Sequence, residues 1–517
     1  MAYPTPRRIT SLDQLLAGSN EYDAVIIVSP KAEFKVSEVI NGALQRALVF
    51  DQRIGQQNVL IHNAEIAGGR LIHAVTGPLD KDYDDVRNFG DAANAAIKIA
   101  KDAGSVNPAI IADGVPSMND YQFALEACYL AGCQALWQPL EAREALDENE
   151  LEPVQTIGLF DPDSKVDLDY LSATEAGKRV ARDLCGTEPE RMAPIGFAGY
   201  CAETFANGNI QTNVISKQTE ITRDFPVFDA VARSSYAVAR HHPRVIELEY
   251  QGKGPITKTL MLVGKAVTYD TGGADLKTGG HMAGMSRDKG GGAAVAGFMK
   301  TLEMLKPEGL KVVAKIAAVR NSIGADAYVA DEIITGHSGK RIRIGNTDAE
   351  GRLAMVDCLS QCRAQAVNEV NPELFTIATL TGHAALTAGP YTLLVANGTA
   401  REQNVDSKIE EAGEFWGDAC ELSRSRREDW DIIRARTAAD DVLSSNNGPS
   451  VSVARGHQFP MAFLSLASGL DEHSVSSKNP IPYVHIDIAG SGVEGGDWQH
   501  GKPTAAPVLA MSAVYLR

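Results

Sequence analysis

The sequence predicts an α/β protein with two domains, the smaller one first. The chain has 517 residues, more than one hydrophobic core usually accommodates. Short apolar runs alternate with helix-period patterns, which is typical of mainly parallel sheets covered by helices. Hydrophobic residues make up 44% and charged residues 22% of the chain. These values are average for globular proteins, so a large buried core is expected.

The first domain is assigned to residues 1–165. Buried strands, rich in Val, Ile and Leu, alternate with two helical patterns. The acidic segment 139–168 lacks long periodicity and is interpreted as a boundary. A helix over 168–185 is predicted to link the domains, within a linker at 166–189. The predicted elements are strands at 24–28, 59–62, 71–75 and 109–112, and helices at 83–104 and 119–136.

The second domain, residues 190–517, repeats the alternation on a larger scale, and a central mixed sheet flanked by helices is expected. Its least regular part is 417–480, where Ser, Asn, Gly and Pro at 444–450 indicate a loop. The predicted strands are 244–250, 259–270, 311–319, 341–345, 374–379 and 482–488, and the predicted helices are 290–305, 351–366, 404–415 and 503–515.

Charge and cysteine content narrow the possible partners and compartment. Lys and Arg number 49 and Asp and Glu 66, giving a net charge of −17. This charge disfavours nucleic acid and anionic lipid as partners. No apolar run approaches the ~18 residues of a membrane span, and the first residues lack a secretory apolar region. Seven cysteines, odd in number and sparse, fit reduced thiols, so we expect no membrane partner and a cytoplasmic location.

The richest chemical signal lies at Asp348, Glu350 and Arg352. The two carboxylates are one residue apart, on a predicted strand-to-helix connection, so they project to one side and can bind hard cations. An arginine two residues later is unusual there unless a metal neutralises the acids and an anion occupies the site. This combination indicates metal-assisted hydrolysis.

A second part of the same signal lies upstream. Lys265 falls within the predicted strand 259–270, and Asp270 ends that strand before two glycines. Lys277 follows in a loop, and Asp288 precedes the helix predicted at 290. Ligands collect beyond the carboxyl ends of parallel strands. Taken singly, an aspartate at a strand end is more often a cap or turn residue, and a loop lysine is usually a solvated charge.

The joint pattern outweighs these single interpretations. Four converging carboxylates would repel one another and raise each other's pKa values unless cations neutralised them. Two divalent cations ~3.5–4 Å apart can do so, bridge a water and polarise a carbonyl group. A lysine amine that has lost its proton beside such a cation can act as a nitrogen ligand.

Four stretches carry a resemblance to a known family. VGKAVTYDTGGADLK at 263–277, MSRDKGG at 285–291, NTDAEGRL at 346–353 and ATLTG at 378–382 resemble the cytosolic leucyl aminopeptidases, a family of two-metal exopeptidases. The likeness extends more faintly to HIDIAG at 485–490. The N-terminal third matches only in general organisation. In that family it is a smaller α/β domain similar to the macro fold.

The resemblance implies a ligand set for two divalent cations. One cation would be held by Asp270, Asp348 and Glu350. The second would be held by Lys265, Asp270, Asp288 and Glu350. Oxygen ligands with one amine accept zinc, manganese, magnesium or cobalt, and zinc or manganese is the expectation.

The resemblance also implies roles for residues around the cations. Lys277 would polarise the scissile carbonyl and stabilise the oxyanion. Arg352 would hold a bicarbonate ion that moves a proton from the bridging water to the leaving amine. The residues expected to contact the substrate are Met285, next to its first side chain, and Thr379, Leu380 and Gly382, through backbone groups.

The function implied is removal of N-terminal residues, preferably Leu or another bulky apolar residue, from peptides with a free N-terminus. The implied assembly is a homohexamer. Some residues depart from the family pattern: Ala266, His281, Arg287, Lys289 and His383. Two alternatives therefore stay open, a two-metal dipeptidase such as a Cys-Gly hydrolase, and a structural or binding member with little turnover.

Other motifs receive structural interpretations. Residues 490–495 fit GxGxxG but lack a following helix, so a loop is predicted. Residues 336–340 are predicted to form a hairpin turn. Cys358 and Cys362 share a helix face and are assigned to the core. His241 and His242 precede a proline and are assigned to a turn.

Overall fold

The structure is a computed structural model that describes residues 3–448 and 452–517. The described chain divides into two compact units. The first comprises residues up to Ala176, with 412–418 and Arg517, and the second comprises 177–411 and 419–516. The division lies inside the segment 166–189 that was predicted as a linker. A helix, Leu168–Gly186, covers most of that segment.

The first unit is built on a six-stranded mixed sheet. Its strand order is β1-β6-β5-β2-β4-β3, and every pair is parallel except β3 with β4. The elements are β1 Thr5–Ile9, β2 Ala24–Ser29, α1 Glu38–Leu48, β3 Val59–His62, β4 Arg70–Val75, α2 Arg87–Asp102, β5 Pro108–Ala112, α3 Ala124–Leu136, α4 Leu140–Ala145, α5 Glu148–Leu151, β6 Thr156–Phe160 and α6 Leu168–Gly186.

The four strands and two helices predicted for this unit are confirmed, with helix starts a few residues later than expected. The sequence analysis missed β1, α1, α4, α5 and β6. Residues 139–168 therefore hold a sheet strand and are not simply a boundary. The glycine in β6 weakens the strand signal but is required, because a Cβ at Gly158 would lie 2.4 Å from Cε1 of Tyr22.

The second unit is built on an eight-stranded mixed sheet with the order β15-β14-β17-β13-β9-β10-β8-β7. The same unit contains a three-stranded sheet with the order β11-β12-β16. The elements are α7 Pro194–Phe205, β7 Gln211–Ile215, α8 Gln218–Asp224, α9 Pro226–Ala232, β8 Arg244–Gln251, β9 Lys258–Asp270, α10 Gly290–Leu305, β10 Leu310–Asn321, β11 Ile333–Thr335, β12 Arg341–Arg343, α11 Glu350–Ala366, β13 Pro372–Ala378, α12 Gly382–Ala388, β14 Thr392–Ala396, α13 Gly398–Glu402, α14 Val405–Trp416, β15 Cys420–Leu422, α15 Arg427–Ile432, β16 Val442–Leu443, α16 Phe459–Ser468, β17 Tyr483–Asp487 and α17 Val508–Tyr515.

The centre of the large sheet lies between helices α10 and α11. A Cβ at Gly264 of β9 would lie 2.6 Å from Cα of Gly292 in α10. The next residue, Lys265, points to the other face, because a Cβ at Gly351 of α11 would lie 2.7 Å from its side chain. Successive residues of one strand thus face different helices. The mixed α/β architecture expected from the sequence is confirmed.

The elements predicted for the second unit are confirmed, apart from the last helix, which begins at Val508 and not at 503. The analysis missed α16 within the irregular part 417–480. That helix is almost uniformly apolar and buried, so it has no polar face to reveal a helical period. It also missed the strands β7, β14, β15 and β16, each of five residues or fewer, and the helices α7, α8, α9, α12, α13 and α15.

The structural interpretations of the minor motifs are confirmed. The turn at 336–340 joins the antiparallel strands β11 and β12. Residues 490–495 form a loop with a short 3-10 turn at its end. Cys358 and Cys362 are fully buried in the hydrophobic core of the second unit. Among the described helices, none is both long and apolar enough to cross a bilayer.

We predict that Gly291→Ala destabilises the protein. A Cβ at Gly291 would lie 2.0 Å from the carbonyl oxygen of Ile377 in β13, so α10 would have to move off the sheet. The free energy of unfolding should fall by about 1–3 kcal/mol or more. Gly199→Ala in α7 is the matched control, because no atom lies within 4 Å of its added Cβ. The free energy of unfolding of Gly199→Ala should rise by up to about 1 kcal/mol. Urea unfolding of both variants measures these changes, and equal changes in the two variants would contradict the prediction.

We predict that Glu126→Gln stabilises the protein only at higher pH. Burial raises the pKa of Glu126 in α3 from 4.5 to about 7. Between those pH values the folded protein holds a proton that the unfolded chain has released, so stability falls as pH rises. The variant should match the wild type near pH 4 and exceed it by up to about 3 kcal/mol at pH 8. Urea unfolding across this pH range measures the difference, and a pH-independent difference would contradict the prediction.

Candidate metal centre

The site residues lie at one edge of the large sheet. Asp270 ends β9, Asn321 ends β10, Thr379 follows β13 and Asp487 ends β17. Neighbouring strands in the order β10-β9-β13-β17 are parallel, so their carboxyl ends meet at the same edge. This is the edge at which α/β sheets bind ligands.

Three buried carboxylates come together there. One oxygen atom from each of Asp270, Asp288 and Glu350 lies within 4.8 Å of the others. Among the described residues, none makes a hydrogen bond with Oδ2 of Asp288 or Oε2 of Glu350, although both atoms are buried. Buried oxygens left in this state are costly unless a cation or water binds them. The group is therefore suited to hold a metal ion.

Lys265 reaches this group from the middle of β9. Its Nζ lies 2.7 Å from Oδ1 of Asp288 and 2.9 Å from Oε1 of Glu350. It also donates to the carbonyl oxygen of Thr379 at 2.9 Å. The side chain passes directly over Gly351, where any Cβ would collide with it. The glycine of the NTDAEGR stretch is thus required by the packing of this lysine.

Lys277 approaches from the other side. Its Nζ lies 2.8 Å from Oδ2 of Asp270 and contacts Oδ1 of Asp348. The loop that carries it turns at Gly272, whose φ is +88° and whose added Cβ would lie 2.4 Å from the carbonyl oxygen of Asp275. The side chain of Lys277 is 15% exposed and that of Lys265 is 3% exposed. Lys277 is thus the lysine that solvent can reach.

The acidic pair Asp348 and Glu350 is held by its own turn. The side chain of Asn346 accepts a hydrogen bond from the amide of Asp348 at 2.7 Å and caps the 3-10 turn 347–349. The amide of Thr347 donates to Oδ2 of Asp275 at 2.7 Å, and the amide of Asp275 donates to Oγ1 of Thr347 at 2.8 Å. These bonds join the Lys277 loop to the start of α11.

The electrostatics of the cluster favour added positive charge. Burial, followed by repulsion from Asp270, raises the pKa of Asp348 to about 7 and also raises that of Glu350. Burial alone would lower the pKa of Lys265, but the neighbouring carboxylates Asp288 and Glu350 raise it. With all four carboxylates ionised, the two ammonium groups would leave two negative charges uncompensated, and the raised pKa values reflect this excess. Divalent cations bound by oxygen ligands fit this donor set.

Arg352 lies nearby but differs from the two lysines. It is buried, its Nη1 donates to the carbonyl oxygen of Ser444 at 3.2 Å, and its guanidinium lies 4.8 Å from the ring centroid of Phe459. In the described structure its Nε has no hydrogen-bond partner. Burial lowers the pKa of Arg352 to about 10, so it stays charged at neutral pH. Such a group can receive an anion.

The four residues expected to contact the substrate lie around this edge. Met285 is half-buried in the 3-10 turn that precedes Asp288. The hydroxyl of Thr379 donates to Oδ1 of Asp288 at 2.8 Å. The amide of Leu380 donates to Asp487 at 3.1 Å. Gly382 begins α12, and no atom lies within 4 Å of its added Cβ.

Three of the five departures from the family pattern face or bond to groups outside the carboxylate cluster. Ala266 faces α10, because a Cβ at Gly292 would lie 2.7 Å from its own. Lys289 donates to the carbonyl of Thr187 at 2.8 Å and to that of Ser286. Nε2 of His383 lies 2.8 Å from the carbonyl oxygen of Val453.

Two polar residues at this edge were missed by the sequence analysis. Asn321 donates to Oδ1 of Asp270 at 2.8 Å and to the carbonyl oxygen of Thr347 at 3.2 Å. Asp487 accepts hydrogen bonds from the segment that follows β13. A polar residue at the end of an otherwise apolar strand is the signal that could have found both.

Comparisons with known proteins indicate the family of this chain. A sequence model described as the cytosol aminopeptidase family, catalytic domain, matches residues 179–512. The chain is 43% identical over 433 residues to a Caenorhabditis elegans protein that is provisionally named an aminopeptidase, covering 84% of this chain and 82% of that one.

Two bacterial relatives carry the name probable cytosol aminopeptidase. The one from Parasynechococcus marenigrum is 29% identical over 425 residues, covering 82% of this chain and 80% of its own. The one from Helicobacter hepaticus is 31% identical over 321 residues, covering 61% and 62%. The family match spans most of the chain and includes every residue of the carboxylate cluster. The chain therefore belongs to the cytosol aminopeptidase family, a family of peptidases.

Proposed function

We propose that this protein is a metal-dependent aminopeptidase that removes N-terminal residues from peptides. Leu and other bulky apolar residues are the proposed preference, and a free N-terminus is the proposed requirement. The observation that carries the proposal is the buried group of Asp270, Asp288 and Glu350, with its unsatisfied oxygens, beside two lysines. Membership of the cytosol aminopeptidase family supports it.

The proposed ligands divide between two cations. Asp270, Asp348 and Glu350 would hold one, and Lys265, Asp270, Asp288 and Glu350 the other. When bound, the cations would lower the pKa of a shared water and polarise the scissile carbonyl. The amine of Lys265 would have to lose its proton to serve as a ligand. Zinc or manganese is proposed, with magnesium and cobalt as alternatives.

Lys277 is proposed to stabilise the oxyanion of the tetrahedral intermediate. Its ammonium group is the more exposed of the two and lies between Asp270 and Asp348, at the mouth of the cluster. A fixed donor in a partly dry site stabilises developing negative charge strongly. Lys265 is too enclosed for this role, since Asp288, Glu350 and the carbonyl oxygen of Thr379 already contact its Nζ.

Arg352 is proposed to hold a bicarbonate ion that accepts and returns a proton. Its direct contacts include the carbonyl oxygen of Ser444 and the ring of Phe459, and neither carries a formal negative charge. Its Nε is available to an anion. An anion held by a buried guanidinium is well placed for general acid–base work.

The substrate is proposed to lie along the segment 379–382, with Met285 next to its first side chain. The amide of Leu380 is already bonded to Asp487. The substrate would therefore use other backbone groups of the segment. A homohexamer is part of the proposal and is supported by the family resemblance alone. A cytoplasmic location is also part of it and is supported by the relatives' names.

We predict that the protein loaded with zinc or manganese hydrolyses leucine amide and leaves N-acetyl-leucine amide intact, because the free amine is needed for binding.

We predict that Glu350→Ala loses at least one cation per subunit and nearly all turnover, since it removes a carboxylate shared by both sites. Metal content by mass spectrometry and amide hydrolysis measure the two effects.

Asp357→Asn is the control for this experiment. Asp357 is a buried carboxylate on the same helix, but it bonds to the amides of Val227, Phe228 and His337. The Asp357→Asn variant should keep both metals and the activity of the wild type. Preference for Cys-Gly over leucine amide would favour the dipeptidase alternative. Wild-type protein that binds no metal and turns over neither substrate would favour a structural member of the family.

We predict that Lys277→Ala lowers kcat by about 10²–10³-fold with a smaller change in KM, because an oxyanion contact strengthens in the transition state. Steady-state kinetics on leucine amide, with metal content checked, measure this. Lys253→Ala, in the turn between β8 and β9, provides the control for loss of a lysine away from the site. An effect of Lys277→Ala on KM alone would contradict the role.

A further inference from the structure

Asp487 has an unusual set of partners for a buried carboxylate. It is the last residue of β17 and its exposed fraction is 0%. Oδ1 accepts hydrogen bonds from the amides of Leu380 at 3.1 Å, Thr381 at 3.4 Å and Ala489 at 3.1 Å. Oδ2 accepts one from the hydroxyl of Thr381 at 2.7 Å. All four donors are neutral groups, and three of them belong to the segment after β13.

That segment also contacts the candidate metal centre. The carbonyl oxygen of Thr379 accepts from Lys265 at 2.9 Å, and the hydroxyl of Thr379 donates to Asp288 at 2.8 Å. Thr381 then caps α12 by accepting from the amide of Ala384 at 3.1 Å. Residues 379–381 are thus bonded on one side to the metal centre and on the other side to Asp487.

We infer that Asp487 is a positioning residue, which holds residues 379–381 in the orientation that presents a peptide substrate to the metal centre. The inference rests on the proposed function and goes beyond it, because Asp487 touches neither the candidate cation site nor, in the proposal, the substrate. It acts through Leu380 and Thr381. Strand β13 ends at Ala378, so this segment has no strand pairing of its own to fix it.

Hydrogen-bond geometry, and not charge, is what this role requires. A carboxylate that accepts four neutral donors could be replaced by an amide whose oxygen keeps the three amide bonds. The amide's NH2 group could donate to the Thr381 hydroxyl, which has a free lone pair beyond the one used by Ala384. If the negative charge of Asp487 acted on Arg352 or the cations directly, Asp487→Asn would lose as much activity as Asp487→Ala.

The experiment compares Asp487→Ala, Asp487→Asn and Asp357→Ala in the full-length, metal-loaded protein. Asp357 is the matched control, because it is equally buried in the same unit and bonds to three backbone amides away from the site. The measurements are kcat and KM for leucine amide, metal content per subunit and the thermal unfolding temperature. Binding of the aminophosphonic acid analogue of leucine is measured by calorimetry.

We expect Asp487→Ala to lose about 10–100-fold in kcat while it keeps its metal content, because a small displacement of the substrate costs this much. Asp487→Asn should restore kcat to within about threefold of the wild type. Asp357→Ala should lower the unfolding temperature but keep the kcat of its folded fraction. Asp487→Ala should also bind the analogue at least tenfold more weakly than the wild type.

Three results would overturn the inference. One is an unchanged kcat in metal-loaded Asp487→Ala. Another is equal damage in the Asn and Ala variants, which would assign the role to charge. The third is an equal loss of kcat in Asp357→Ala, which would assign it to general stability. If the wild type is inactive on every amide, the proposed function fails, and binding of the analogue to the wild type and Asp487→Ala then decides the inference alone.

Discussion

The second unit of this protein depends on the burial of like charges at the end of its central sheet. Asp270, Asp288 and Glu350 place oxygens within 4.8 Å of one another, away from solvent. Without cations nearby, such a group would take up protons or force the strand ends apart. Lys265 and Lys277 supply part of the missing positive charge. The remaining negative charge is what makes the site receptive to divalent cations.

The packing of the sheet makes this burial possible. Strand β9 carries Gly264 towards α10 and Lys265 towards α11, so one strand forms both the tight helix contact and the centre of the site. Gly291 and Gly351 allow the two helices to approach the sheet closely, since a side chain at either position would collide with backbone or with Lys265. The close approach excludes water, and this raises the pKa values of Asp288 and Glu350.

The sequence predicted the fold class well, for physical reasons, and three of the acidic residues that it singled out, Asp270, Asp288 and Glu350, lie together in the structure. Strands such as β9 and β10 are long apolar runs, and a carboxylate at a strand end after such a run is a local signal. It could not predict α16, whose uniform apolarity hides its period. It also could not predict which distant groups meet, such as Asp487 and Leu380, because that contact joins residues 107 positions apart.

The hydrogen-bond partners distinguish two kinds of aspartate, although the residue type is the same. Asp288 and Asp348 face the ammonium groups of Lys265 and Lys277, which are charged partners. Asp275 and Asp487 face backbone amides and hydroxyls, which are fixed by the fold and cannot be exchanged.

Asp270 combines both kinds of contact. Its Oδ1 accepts from the amide of Gly272 and from Asn321, while its Oδ2 faces Lys277. One oxygen is thus held by the fold and the other is left to a cation. A carboxylate that is proposed to bind both cations needs one oxygen of each kind. The hydrogen bonds to one oxygen fix the position of the side chain, and the other oxygen can bind a cation. The same criterion assigns Asp487 to the framework that surrounds the site.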